Sequence, residues 1–339
     1  MTLAAAMKCP VCRSQNCRAQ LRVTSQEAAA HFRSDIGSAQ FGKLRQAIEG
    51  LWQQSYNDLS QCDDCGFGFA WPYVAGDSQF YALAYETIGY PAEKWDFVRG
   101  LEAVQQHGLA PQRVLEIGAG YGFFLDKLVA CLPVRPTILA TEFGLPALQQ
   151  LRAKEYEARD TDVRELGTQA PFDLICGFQV LEHLGDLDRL AATIDELLKP
   201  GGHAMFAVPN AALIAFNTSN DSMLDMPPNH IGQWSRAAFV EFGRKCRLDL
   251  IEFDVQPHSL GGIIKMDIGY SYLRRAQQNG TLANWARRHR TAKWGKAVAA
   301  GVALVQAPLR LPVWAAASRR SDLGESAFAL FRKPEATLM

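Results

Sequence analysis

The chain has no net charge, because 35 basic side chains meet 35 acidic ones across its 339 residues. It also lacks an apolar run that could cross a bilayer, which takes about 20 residues. The longest such run, residues 297–305, is followed by Pro308, Arg310 and Pro312. Residues 1–6 carry neither a cationic start nor an apolar stretch, so no secretory leader is read and a reducing, cytoplasmic setting is expected. Glycine and proline, at 27 and 16, sit near average usage, which excludes collagen-like and low-complexity chains. An apolar content of 48% excludes a disordered one. Length alone suggests about two domains.

Acidic residues are missing altogether between Ile268 and Ser321, where ten Arg and Lys residues lie. The rest of the chain is therefore net acidic, and this stretch needs its own explanation. Trp294, Val298, Val302, Val305 and Leu309 fall on one helical stripe, so the plain reading is a packed helix with a solvated cationic face. The functional alternatives are peripheral contact of 268–321 with anionic lipid at the inner membrane face, or a homodimer contact.

Eight cysteines divide by spacing. Cys9-Pro-Val-Cys12 and Cys62-Asp-Asp-Cys65 are two C-x-x-C knuckles, and Gly66 suits the tight turn after the second. Four thiolates fill the tetrahedral shell of a structural zinc ion and leave no open position for chemistry. Zinc through Cys9, Cys12, Cys62 and Cys65 is therefore expected, folding a small N-terminal lobe. Neither knuckle opens a helix after a strand, as a redox pair would. Cys17 is a bystander. Between the knuckles, residues 40–59 read as one helix with Phe41, Leu44, Ile48, Leu51 and Trp52 on a stripe. An aromatic-rich helical stretch follows, with Phe80, Tyr81, Tyr85, Tyr90, Trp95 and Phe97, serving as core packing or as a ligand lid.

From Gln112 the pattern becomes strand, turn, helix. The apolar strand 113–117 runs into Gly118-Ala-Gly120-Tyr-Gly122 and then a helix. That context is what makes the glycines a candidate ligand loop: the backbone approaches closely and the helix start offers free N–H donors. G-x-G-x-G is not the G-x-G-x-x-G dinucleotide fingerprint. The next strand ends in Glu142, 22 residues past Gly120, where an acid can take both ribose hydroxyls. Further strands alternate with helices, which predicts a doubly wound α/β sheet. The expected boundaries are a zinc lobe at 1–75, an aromatic linker or lid at 76–110 and a core at 111–256. A basic helical insertion at 257–324 and the last strand at 325–339 complete the chain. Residues 214–234 are read as a long loop.

Val114-Leu-Glu116-Ile-Gly118-Ala-Gly120-Tyr-Gly122, Phe178-Gln-Val-Leu-Glu182-His183, Leu198-Lys-Pro-Gly-Gly202 and Val208-Pro-Asn210 resemble class I S-adenosylmethionine-dependent methyltransferases. With its cysteine knuckles the chain resembles the subgroup bearing an N-terminal zinc lobe, many of them sugar or glycan methyltransferases. The resemblance spans roughly residues 9–256 plus the last strand and implies a Rossmann-like fold. It also implies that Gly118, Gly120 and Gly122 line the methionine and ribose of S-adenosylmethionine, that Glu116 orients the loop and that Glu142 binds ribose. Asp162 and the Val163 backbone would hold adenine, with Phe178 beside the methionyl end. The 257–324 insertion has no counterpart in the family core.

The expected reaction is O-methylation of a sugar, nucleotide-sugar, glycan or related metabolite, with one histidine as general base because only histidine titrates near neutrality unperturbed. His183, after the fourth strand, and His230, in the following loop, stand at the edge where open α/β sheets bind ligands. The plain alternatives are that Glu182-His183 caps the next helix and that His230 orders its loop. Asp221 and Asp225 are the fallback carboxylates. A zinc-ribbon RNA methyltransferase would use Arg287, Arg288, Arg290, Lys293 and Lys296 interleaved with Trp285 and Trp294. No Asn-Pro-Pro-Tyr or Asp-Pro-Pro-Tyr follows the fourth strand, which argues against nucleic acid. A non-catalytic binding protein on the same fold is the third reading.

Overall fold

The computed structural model describes residues 6–85, 89–220, 225–276, 278, 280–289, 301, 305 and 308–335. The chain opens with β1 (Cys17–Thr24), α1 (Ser25–Phe32) and α2 (Ala39–Trp52), then β2 (Tyr56–Cys62) and β3 (Gly68–Trp71). Thr24 starts α1 through a capping box with Glu27, and Ser38 caps α2. The helix expected over 40–59 stops at Trp52. Gln53 takes a left-handed conformation (φ 55°), and the next residues extend because pairing with β1 satisfies their backbone. Two short helices follow, α3 (Ser78–Ala84) and α4 (Trp95–Gln106).

The second half of the chain alternates strand and helix. It runs through β4 (Arg113–Ile117), α5 (Phe123–Cys131), β5 (Thr137–Thr141), α6 (Leu145–Ala153), β6 (Glu157–Arg159), β7 (Phe172–Phe178), α7 (Leu187–Leu197) and β8 (Leu198–Pro209). Next are α8 (Ala211–Ser219), β9 (Gly232–Gln233), α9 (Arg236–Lys245), β10 (Asp249–Val255), α10 (Leu260–Ala276), α11 (Leu282–Arg288) and β11 (Ser326–Arg332). Seven strands form one sheet in the order β10-β11-β8-β7-β4-β5-β6. From β8 to β6 the pairing is parallel, and β11 runs antiparallel to both neighbours. β4 and β7 are buried almost throughout, as strands covered on both faces must be, which explains their unbroken apolar reading. The result is a Rossmann-like α/β fold.

The described residues 214–220 and 225–234 include a helix and a strand in place of the expected loop. α8 reaches Ser219, and β9 pairs antiparallel with β3, making the fourth strand of the N-terminal sheet β1-β2-β3-β9. Two halves of the chain are stitched there. Trp234, 1% exposed, packs edge-on to Phe67 at 4.8 Å and stacks on Phe239 at 5.1 Å. Cys9, Cys62 and Cys65 consequently share one buried cluster with Leu190 and Ile194 of α7 and Phe206 of β8.

Of the C-terminal insertion, α10 and α11 pack together, and Arg310 pairs with the buried Asp267. Trp294, Val298 and Val302 lie outside the described residues. Val305 and Leu309 are 76% and 74% exposed, so these two members of the expected stripe are not packed. No helix among the described residues is long and apolar enough to cross a membrane.

Candidate active site

The glycine turn sits between β4 and α5, at the C-terminal edge of the parallel strands. Gly118, Gly120 and Gly122 all have positive φ, of 66°, 53° and 73°. At Gly120 the requirement is double, since a Cβ would also stand 2.8 Å from the Tyr90 ring. Glu142, at the end of β5, latches this turn from below. Its Oε2 accepts the Gly120 N–H at 2.8 Å, and its Oε1 accepts the Gly144 N–H at 2.7 Å and the Tyr90 hydroxyl at 3.3 Å.

The other expected cofactor residues fall around this turn in different states. Glu116 is buried under it with Oε2 unpartnered, and burial raises its pKa well above the carboxylate range. Asp162 caps the one-turn helix Val163–Glu165, accepting the Arg164 N–H at 2.8 Å and its Nε–H at 2.7 Å. Val163 is buried. Phe178 is buried too, its ring against Phe124 at 4.4 Å and Phe97 at 5.3 Å. Beside it Asp96 is 3% exposed, with Oδ2 bound to Gln179 and Oδ1 unpartnered. Buried acceptor oxygens without donors are rare in folded proteins.

One turn beyond β7, Leu181–His183 forms a short helix that brings Glu182 and His183 to the same edge. Val180, just before it, lies 3.0 Å from where a Cβ on Gly118 would be. His183 Nδ1 is 2.7 Å from the Asn229 carbonyl oxygen, and its ring lies 4.8 Å from that of His230. His230 Nδ1 is 2.6 Å from Asp225 Oδ1. Neither Glu182 nor His183 caps α7; Asp186 does. Burial lowers the His183 pKa to about 3 and raises that of Glu182 to about 7. At His230 burial acts downward, but the Asp225 hydrogen bond and charge, with Glu182, raise it overall. Asp221 lies outside the described residues.

The four knuckle cysteines converge as their spacing suggested. Cys9 and Cys65 sulfurs are 3.6 Å apart, Cys12 and Cys62 3.5 Å, and all four thiols are free. Tetrahedral Zn–S bonds of about 2.3 Å would set sulfurs ~3.8 Å apart, so the donor set fits that ion. Cys17 stays outside, donating to the Ser14 carbonyl.

Residues 90–249 match the family model for a methyltransferase domain. A curated protein of Mycolicibacterium smegmatis, described as a probable S-adenosylmethionine-dependent methyltransferase, is 28% identical over 233 residues, 65% of this chain and 82% of that one. The chain carries an S-adenosylmethionine-dependent methyltransferase domain. The ubiquinone biosynthesis O-methyltransferase of Azotobacter vinelandii is 24% identical over half of this chain and 80% of its own. Among solved structures, the N-methyltransferase NodS of Bradyrhizobium japonicum in complex with S-adenosyl-L-homocysteine aligns at a TM-score of 0.42 and 18% identity, covering 74% of this chain and 92% of that one.

The matched residues start at Tyr90, whose ring covers the glycine turn, and they include the glycines, Glu142 and the histidine pair. The cysteine knuckles precede it. Sequence reasoning placed Tyr90 only within an aromatic stretch and did not single out Asp96. Neither carries a local signal, since both reach the site through packing of segments before β4.

Proposed function

We propose that this methyltransferase acts on a hydroxyl of a sugar, nucleotide-sugar, glycan or related small metabolite. S-adenosylmethionine, when bound, supplies an electrophilic methyl group on sulfonium. Gly118, Gly120 and Gly122 would cradle its methionine and ribose, with Glu142 on the ribose hydroxyls and Asp162 and Val163 at adenine. Glu116 supports the turn from beneath, and Phe178 backs the methionyl end. The orphaned oxygens of Glu116 and Asp96 suit a ligand that brings donors, as an α-ammonium group does.

The observation that carries the reading is the Glu182–His183–His230–Asp225 cluster beside the glycine turn. A hydroxyl must shed its proton as its oxygen bonds to carbon, and of the histidine pair it is His230, whose pKa Asp225 and Glu182 raise, that suits this role, with His183 beside it held neutral by burial. Positioning supplies much of the remainder. That a relative is named an O-methyltransferase supports oxygen as the accepting atom. The test is incubation with labelled S-adenosylmethionine and a panel of hydroxylated metabolites. Labelled methyl ethers are expected; transfer confined to amines or carbon would overturn the assignment.

The cysteine quartet is proposed to hold structural zinc, supported by its sulfur spacing. Arg287 and Arg288 donate to the carbonyls of Ala30, His31 and Ser34 at the end of α1, which speaks against the RNA reading. Arg290, Lys293, Trp294 and Lys296 lie outside the described residues. Exposed Leu282, Trp285, Val305, Leu309 and Leu311 favour peripheral contact of this segment with an anionic membrane face or a homodimer partner, in a cytoplasmic protein.

A further inference from the structure

Glu182 is the most anomalous group at this edge. It is 1% exposed, and neither carboxylate oxygen has a hydrogen-bond partner. Its backbone is fixed, since its carbonyl accepts the Ile231 N–H at 2.8 Å. A buried carboxylate without donors costs several kcal/mol of desolvation, and such groups persist when paired or when they coordinate a metal. An imidazole stands close to it: His183 Nε2 lies 3.8 Å from Glu182 Oε1. One ligand atom each of Glu182, His183 and His230 lies within 4.8 Å of the others.

The outer partners make this more than proximity. A backbone carbonyl can only accept, so His183 carries its proton on Nδ1 and donates it to Asn229; Asp225 likewise takes the Nδ1 proton of His230. Both Nε2 atoms are left with lone pairs. Metal-binding imidazoles are held in this way, with the other ring nitrogen donating to a carbonyl or carboxylate. Two imidazoles and one carboxylate are the donor set of Zn2+, Mn2+ and Fe2+, and three protein ligands leave coordination positions open. The negative charges of Glu182 and Asp225 together match a dication.

We propose that Glu182, His183 and His230 bind one divalent transition-metal ion, separate from the cysteine quartet, and that the acceptor hydroxyl completes its coordination. The proposal rests on the acceptor reading above and says how the histidine pair works. The hydroxyl oxygen donates a lone pair to the ion, which acidifies its O–H. The proton leaves to water, and the same oxygen then forms the new O–C bond while the S–C electron pair stays on sulfur.

The experiment uses the full chain with its thiolate site already saturated with zinc. Mn2+, which prefers oxygen and nitrogen donors over thiolates, is titrated and followed by electron paramagnetic resonance. About one Mn2+ per chain is expected, with affinity at least tenfold weaker in Glu182→Gln and in His230→Asn. Unchanged zinc content and circular dichroism serve as the folding check for each variant. No uptake of Mn2+, or of Co2+ beyond the zinc equivalent, would overturn the proposal, as would equal binding by both variants. Turnover is then measured after chelation under conditions that leave cofactor binding intact. Loss of transfer restored by Mn2+ supports the ion's role; full turnover without it refutes the metal while leaving the acceptor site in place. Wild-type turnover in His183→Asn and His230→Asn would instead remove the acceptor reading itself.

Discussion

Replacing Glu142 with Gln tests the cofactor end with the least disturbance of shape. In the free protein the two carboxylate oxygens hold the backbone on both sides of the site, through Gly120 at 2.8 Å and Gly144 at 2.7 Å. An amide keeps one acceptor and turns two donors toward the other N–H. One charge-assisted bond is lost and a donor is left facing a donor, a cost of about 1.5–3 kcal/mol to the loop. The bound ribose would lose a second charged acceptor of similar worth. A combined loss near 3 kcal/mol in binding is about a 100-fold rise in Kd for S-adenosylmethionine and S-adenosylhomocysteine. Isothermal titration calorimetry measures it, with circular dichroism confirming the fold. A Kd within threefold of wild type would refute the assignment of this acid and of the turn it latches.

Trp234→Ala should destabilise the protein by about 3–5 kcal/mol, because a fully buried indole packed against Phe67, Phe239 and Phe242 leaves a cavity; chemical denaturation checks it. Stability should fall as pH drops from about 6.5 to about 4, since burial and the Arg287 charge lower the His31 pKa to about 4, outweighing the nearby Asp225. The unfolded chain binds this proton first, so the contribution is complete above the unfolded pKa and fades below it, by up to about 3 kcal/mol. His31→Gln should flatten that part of the pH–stability curve. Chelation of the zinc proposed for the cysteine quartet should lower the melting temperature of the whole chain, because Cys9, Cys62 and Cys65 share a core cluster with Leu190 and Phe206. A melting transition for residues 90–249 unchanged by chelation would contradict that.

What was legible in the sequence is what short-range rules control. A buried strand, glycines with positive φ and a helix start appear within ten residues, so the turn at 118–122 and the acid at Glu142 could be placed from pattern alone. C-x-x-C spacing likewise constrains its own geometry. The remainder depends on distant pairing. β9 is two residues long and exists only because β3 presents an edge to it. The stop of α2 at Trp52 reflects β1 claiming the residues that follow. Tyr90 over Gly120, and His183 on the Asn229 carbonyl, join segments whose approach no local periodicity encodes. Capping of the next helix by Glu182-His183 is one of two readings open in the sequence; Asp186 takes that place, and the burial of Glu182 without donors is set by tertiary packing.

The most direct measurement is a crystal structure of the full chain with S-adenosylhomocysteine bound. The ribose hydroxyls should lie within hydrogen-bond distance of Glu142, with Tyr90 displaced from or folded over the ligand. The sulfur should point toward the side of the turn that carries His183 and His230. Density for the ligand elsewhere, or a sulfur facing away from the histidine pair, would contradict the account.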